Sequence, residues 1–244
     1  MTLPGNPIFV ALDTVDLDAA LRIAETVKPY VGGIKLGLEF FMANGGPGVA
    51  AVSALGLPVF LDLKLHDIPN TVVGAVRAVA PLAPAILNVH ASGGIEMMRA
   101  AGEAAHEAAD RHGVAAPLMI AVTVLTSLDE NDLRAVGQHR PAGEQVIRLA
   151  QITSVAGLAG VVCSPAETQS LRVAMGPDFK LVVPGIRPAG AETGDQKRIA
   201  TPEKTLADGA DVLVIGRAIT GAANPAAAAA AIAENIGVGS VAAT

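Results

Sequence analysis

A single-domain (β/α)8 barrel of the α/β class, the TIM barrel, is predicted by three observations. Short runs rich in Val, Ile and Leu recur eight times along the chain. Ala-rich stretches with helical spacing separate them. The chain has 244 residues, the size at which eight strand–helix units fill one core. The runs are 8–13, 33–37, 59–65, 85–91, 117–125, 160–164, 180–186 and 212–219. They are almost continuously apolar, as parallel strands covered on both faces must be.

The segments between them carry helix signals in the same order. Leu17, Leu21, Ala24 and Val27 form an apolar stripe after the first run, with Thr14 or Asp16 as its N-cap. Pro69 stands at a first-turn position after the third run, followed by a stripe of Val72, Val76, Val79 and Ala80. Val146, Leu149, Ile152 and Thr153 make a third stripe. Ser164-Pro165 and Asn224-Pro225 are start signals for later helices, and Ala226 to Ala231 reads as the body of the last one. The rival architecture is an open doubly wound sheet. No GxGxxG follows the first run, which weakens a dinucleotide-binding version of it. No linker divides the chain, so one domain over 1–244 is expected, with a frayed tail over 237–244.

Composition excludes several function classes. Apolar residues make up 51% and charged residues 16%, which requires a folded and well-buried chain. Lys and Arg number 17 against 23 Asp and Glu, a net charge of −6, and this opposes a nucleic-acid partner. Five Phe, one Tyr and no Trp are too few for a base-stacking platform. Cys163 is the single cysteine, so an intrachain disulfide and a CxxC metal site are excluded; it reads as a small buried hydrophobe. No apolar run is long enough to span a membrane, and Asp13 cuts the first one too short for a signal peptide, so a cytoplasmic location is expected.

A barrel places function at the C-terminal ends of its strands, so runs that end in polar groups are informative. The first run ends in Asp13, the second holds Lys35, and the third reads Asp62-Leu63-Lys64-Leu65-His66-Asp67. The fourth ends near His90, the fifth near Thr123 and Thr126, the seventh at Arg187, and the eighth contains Gly216-Arg217. An isolated charge in such a place costs several kcal/mol, so each requires a partner or a ligand. Strand alternation puts Asp62 and Lys64 on one side and Leu61, Leu63 and Leu65 on the other. With Asp67 in the loop and Lys35 on the neighbouring strand, the array can present a protonated lysine to a carbanion. It suits a metal poorly, because an ammonium occupies its centre. Arg187 and Arg217, on adjacent strand ends, suit a phosphate. The polar stretch 188–198 reads as a lid over it. His106-Glu107 with Asp110 resembles half a zinc helix but lacks the second histidine, and with His112 and His139 it reads as solvated surface.

At Asp62-Leu63-Lys64-Leu65-His66-Asp67-Ile68-Pro69-Asn70-Thr71 the sequence resembles the orotidine 5′-phosphate decarboxylase family. The resemblance extends through Phe9 to Asp13, Ile34 to Gly37, Asn88 to Ala91, Thr123 to Ser127, Val183-Pro184-Gly185-Ile186-Arg187, Asp195-Gln196 and Ile215 to Ile219. It implies a barrel working as a homodimer with shared active sites, without metal or organic cofactor, that converts orotidine 5′-phosphate to UMP and carbon dioxide. By the same resemblance Lys64 protonates C6 of the pyrimidine and Asp62 lies beside the substrate carboxylate. Lys35 and Asp13 hold ribose hydroxyls, and Thr126 touches the pyrimidine. Asp67, Ile68 and Thr71 reach into the partner's site. Arg187, Gly216 and Arg217 bind the phosphate, with Gln196 reaching it from the lid, and Pro184 is a further substrate-binding residue. Two rivals remain: a Mg²⁺-dependent sister of the 3-keto-L-gulonate 6-phosphate decarboxylase and hexulose-phosphate synthase type, which shares Asp-x-Lys-x-x-Asp, and a non-catalytic barrel that binds a phosphorylated ligand.

Overall fold

The computed structural model describes residues 3–188 and 200–239. Eight parallel strands close into a barrel in sequence order: β1 (Ile8–Ala11), β2 (Gly33–Gly37), β3 (Val59–Leu65), β4 (Ile86–His90), β5 (Leu118–Val122), β6 (Gly160–Val162), β7 (Lys180–Pro184) and β8 (Val212–Ile215). Closure is made by β1 pairing with β8, Ile8 opposite Leu213 and Val10 opposite Ile215. The open doubly wound sheet is thereby excluded. Helices α1 (Leu17–Val27), α2 (Leu38–Ser53), α3 (Pro69–Val79), α4 (Ile95–His112), α5 (Glu130–Ala135), α6 (Ala142–Val155), α7 (Thr168–Met175), α8 (Pro202–Ala207), α9 (Arg217–Thr220) and α10 (Pro225–Asn235) follow the strands.

Alternation along each strand sorts the core into two. Ile8, Val10, Ile34, Leu36, Leu61 and Leu87 join the helices in the larger, outer cluster. Phe9, Phe60, Ile86, Ile120, Val182 and Val212 form a separate cluster that fills the barrel itself. Gly33 makes room for one member: a Cβ there would lie 2.3 Å from the Phe9 ring. The barrel is therefore plugged by side chains below, and Lys35, Asp62 and Asn88 take the next inward positions up the strands, toward its C-terminal mouth.

The helix signals resolve as follows. Asp16 caps α1, its Oδ1 accepting from the Ala19 N–H at 3.0 Å. The α1 stripe buries Ala24 and Val27, with Leu17 and Leu21 packed against the core. Val72, Val76, Val79 and Ala80 are buried beneath α3, and Val146, Leu149 and Thr153 beneath α6. Asn224 caps α10 by accepting from the Ala227 N–H at 3.0 Å. Ser164 and Glu167 form a reciprocal capping box ahead of α7. The eighth apolar run is shorter than 212–219 predicts: β8 stops at Ile215, and Arg217 to Thr220 turn into α9. Ala218 and Ile219 prolong the apolar pattern, but the chain turns at Gly216. The fifth and first runs likewise lose their last residues to loops. Cys163 is buried, and burial pushes its thiol far above the usual range. His106, His112 and His139 are exposed, and Glu107 pairs with Arg77 and Arg111 on the surface. Of the stretch 188–198 only Pro188 is described, and of the tail 237–244 only residues 237–239. No described helix is long and apolar enough to cross a membrane.

Candidate active site

The charged array is built by an irregularity in β3. Leu61 stands opposite Leu87 of β4 and Leu65 opposite Val89, so β3 advances from 61 to 65 while β4 advances only from 87 to 89. Simple alternation does not carry Lys64 to the mouth. Its backbone adopts a left-handed conformation, φ 50°, inside this bulge. Such a conformation in a residue with a Cβ costs about 1–3 kcal/mol and persists only where neighbours enforce it. Here the Lys64 N–H donates to Asn88 Oδ1 at 2.8 Å. The Asn88 Nδ2 in turn donates to Asp62 Oδ1 at 2.7 Å.

The side chains then form one chain of alternating charge. Lys64 Nζ donates to Asp62 Oδ1 at 2.8 Å. Lys35 Nζ lies 3.5 Å from Asp62 Oδ2 and donates to Asp13 Oδ1 at 2.8 Å. The side chains of Lys35 and Asp62 are each 10% exposed and that of Lys64 29%, so the array opens outward at Lys64. Burial alone would raise the Asp62 pKa, but the charges of Lys35 and Lys64 and the hydrogen bonds from Lys64 and Asn88 outweigh it and hold the carboxyl below the usual range. His90, above Asn88 on β4, is lowered chiefly by burial and then by His66 and Lys64, whose charges oppose another cation; the His66 and His90 ring centroids lie 5.3 Å apart.

Gly37 leaves space for the pair beside it. A Cβ at Gly37 would stand 2.9 Å from Lys35 Nζ and 3.3 Å from Asp13 Oδ1. Glycine here serves the ammonium rather than the turn.

The array forms one wall of a cavity of about 410 Å³. Thr126 lines it from the loop after β5; Pro184 and Arg187 line it from the end of β7, and Gly216 and Arg217 from the end of β8. The floor is apolar, with Phe60, Val122 and Val162 among its members. Among the described residues the Arg187 Nε is buried without a hydrogen-bond partner, a donor left over for a ligand. The cavity thus has a cationic end on β7 and β8 and a mixed-charge end on β2 and β3, set across an apolar floor.

Nine of the expected site residues meet in this cavity: Asp13, Lys35, Asp62, Lys64, Thr126, Pro184, Arg187, Gly216 and Arg217. Asp67, Ile68 and Thr71 do not line it; they are exposed at the start of α3. Gln196 lies outside the described residues. Asn88 was missed. It is a polar residue at an inward position of a buried strand, and a search for unpaired polar groups as well as charges would have found it. Thr123, by contrast, spends its hydroxyl on the Val162 carbonyl at 2.9 Å.

Known proteins resemble this chain closely. The family model described as "Orotidine 5′-phosphate decarboxylase / HUMPS family" matches residues 6–232. A protein of Rhodospirillum rubrum named orotidine 5′-phosphate decarboxylase is 59% identical over 232 residues, covering 95% of this chain and 94% of its own. One of the same name from Paramagnetospirillum magneticum is 55% identical over 233 residues, covering 96% and 99%. The crystal structure of orotidine 5′-phosphate decarboxylase from Lactobacillus acidophilus superposes with a TM-score of 0.83 at 35% identity, covering 96% of this chain and 100% of that one.

Proposed function

This chain belongs to the orotidine 5′-phosphate decarboxylase / HUMPS family, and on that premise we propose which of its residues carry out the decarboxylation of orotidine 5′-phosphate to UMP and carbon dioxide, the reaction that completes UMP synthesis. The observation that supports the assignment best is the placement of Lys64 Nζ, held at 2.8 Å by Asp62 and lining the cavity opposite Arg187 and Arg217.

The bond from C6 to the carboxylate carbon breaks, carbon dioxide leaves, and the bonding pair remains on C6. The ring delocalises that pair poorly. The remedy is a fixed cation where the charge appears. Lys64 supplies it, then donates an ammonium proton to form the C6–H bond and regains a proton from water. Lys35 and Asp13, joined to each other, bind ribose hydroxyls. Thr126 contacts the pyrimidine. Arg187, Gly216 and Arg217, with Gln196 from the stretch outside the described residues, bind the phosphate, and Pro184 lines the substrate cavity.

Magnitudes decide how much Asp62 contributes by repulsion. Two carboxylates about 4 Å apart repel by roughly 4 kcal/mol at an effective dielectric of 20. Enzymes lower barriers by about 8–23 kcal/mol. Repulsion is therefore the smaller contribution, and the main duty of Asp62 is to hold two ammonium groups in place. Phosphate binding, remote from C6, lends energy to assembling this arrangement.

The shared-site homodimer is part of the same proposal. What supports it is the exposure of Asp67, Ile68 and Thr71 beside a cavity they do not line, with Ile68 67% exposed despite its apolar side chain. Mixing Asp67→Ala with Lys64→Ala protein is expected to restore activity, because a hybrid dimer carries one intact site. No recovery after confirmed subunit exchange would remove the shared site.

A Mg²⁺-dependent sister reaction fits less well, since both Asp62 oxygens face ammonium groups that a divalent ion would have to displace. Purified protein given orotidine 5′-phosphate in EDTA is expected to bleach the orotate absorbance. No bleaching with or without Mg²⁺ would refute the reading, and bleaching that EDTA abolishes would point to the metal-dependent chemistry.

A further inference from the structure

Asn88 is wholly buried, in the barrel interior, where an apolar side chain would be cheaper. None of the roles above uses it. Both of its hydrogen bonds go to the array: Oδ1 accepts from the Lys64 N–H and Nδ2 donates to Asp62 Oδ1. The register jump between β3 and β4 explains the first bond. Between Leu61 and Leu65 the ladder is interrupted, so the Lys64 N–H loses its strand acceptor and takes a side-chain oxygen instead. The second bond explains why the residue is an amide. One group must accept from a peptide N–H and donate to a carboxylate on its other side. An ionised aspartate supplies only the acceptor, and leucine supplies neither. The orientation of the amide is fixed by these partners, since a carboxylate accepts only from the NH₂ end.

We propose that Asn88 is a positioning residue for the decarboxylation, and this rests on the functional reading above. It holds Lys64 in its left-handed backbone conformation and orients the Asp62 carboxylate, so that the lysine ammonium is carried at one place against C6. It touches no substrate. Its contribution is to the transition state through the position of Lys64, and so it should register in kcat rather than in nucleotide affinity. The phosphate end of the cavity, on β7 and β8, is built without it.

The test compares wild type with Asn88→Ala and Asn88→Asp, measuring kcat with orotidine 5′-phosphate and UMP affinity by direct titration. Asn88→Ala removes both bonds. A displacement of about 1 Å at a reacting group costs on the order of a hundredfold in rate, and a fall in kcat of that size is expected, with UMP affinity within about threefold of wild type. Asn88→Asp keeps the shape and the acceptor but sets a second carboxylate against Asp62, so its kcat is expected to fall at least as far at neutral pH. Wild-type kcat in either folded variant would overturn the proposal. So would parallel loss of kcat and UMP affinity, or failure of both variants to fold, because each would make Asn88 a support of the barrel at large. Should wild type itself leave orotidine 5′-phosphate unchanged, the functional reading fails instead.

Discussion

The barrel carries the same charge motif at both ends, a carboxylate held between two cations. At the N-terminal end Asp211 accepts from Arg172 Nη2 at 2.6 Å, from Lys180 Nζ at 3.0 Å and from the Leu181 N–H at 2.9 Å. Arg172 also donates to the carbonyls of Gly176, Phe179 and Gly209. Its guanidinium is saturated by fixed protein acceptors, and the cluster ties α7 to the starts of β7 and β8. At the C-terminal end Asp62 sits between Lys35 and Lys64, and a single hydrogen bond to Asp62 is the one Lys64 Nζ makes among the described residues. An ammonium has three donors, so two of them stay unspent among the described residues, on a side chain that lines the cavity. The difference teaches how to tell a structural ion cluster from a catalytic one. Charge is alike in both; what differs is where the donors stand, since Arg172 spends all of its own on the protein and Lys180 binds Asp211 away from the cavity, whereas Lys64 lines the cavity with donors to spare. The backbone agrees, since strain at φ 50° is stored under Lys64.

This contrast can be broken or sharpened experimentally. The largest effect is expected from Lys64→Ala, which should lower kcat by on the order of a thousandfold or more while UMP still binds. Near-normal turnover would place the two clusters in the same class. Asp211→Ala should do the reverse. It leaves Arg172 and Lys180 without their shared anion, and about 2–4 kcal/mol of stability should be lost in denaturant unfolding. Its kcat, measured where the protein is folded, should stay at the wild-type value; a fall in kcat would show that the N-terminal cluster also serves the reaction.

A smaller effect, about tenfold in kcat with little change in melting temperature, is expected from Gly37→Ala. The added methyl would press on the end of Lys35, which can swing away, and not on backbone. Equal damage to stability would mean that the glycine serves the fold. The smallest effect concerns acid. The Asp62 pKa is lowered on folding, so its contribution to stability is present above the unfolded carboxylate value of about 3.9 and is lost as pH falls through the lower folded value. The stability gap between wild type and Asp62→Asn should therefore narrow below about pH 4 and be constant at neutral pH. A gap that widens in acid would contradict the assignment of the carboxyl as ionised.

How much was legible in the sequence follows from which forces are local. Charges inside or just past buried strands stand out against a chain in which 16% of residues are charged, so Lys35, Asp62, Lys64 and Arg187 were visible as a set. The bulge was not visible. Residues 59–65 alternate as an ordinary strand does, and only the register of β4 shows that Lys64 arrives by a left-handed turn. Asn88 escaped because its importance lies in serving two partners on another strand. The end of β8 was overrun because Ala218 and Ile219 continue the apolar pattern past the turn at Gly216. Asp67, Ile68 and Thr71 stand outside the cavity of their own chain: the spacing of charges placed Asp67 in the array, which the loop after β3 does not do within one chain, and only the family resemblance marked Ile68 and Thr71.

The most direct measurement is a crystal structure with UMP bound. The phosphate is expected between Arg187 and Arg217, and Lys64 Nζ about 3–3.5 Å from C6 of the base, close enough to pass a proton. A nucleotide seated with C6 far from that ammonium, or a Lys64 side chain turned to bulk water while UMP fills the cavity, would contradict the catalytic assignment.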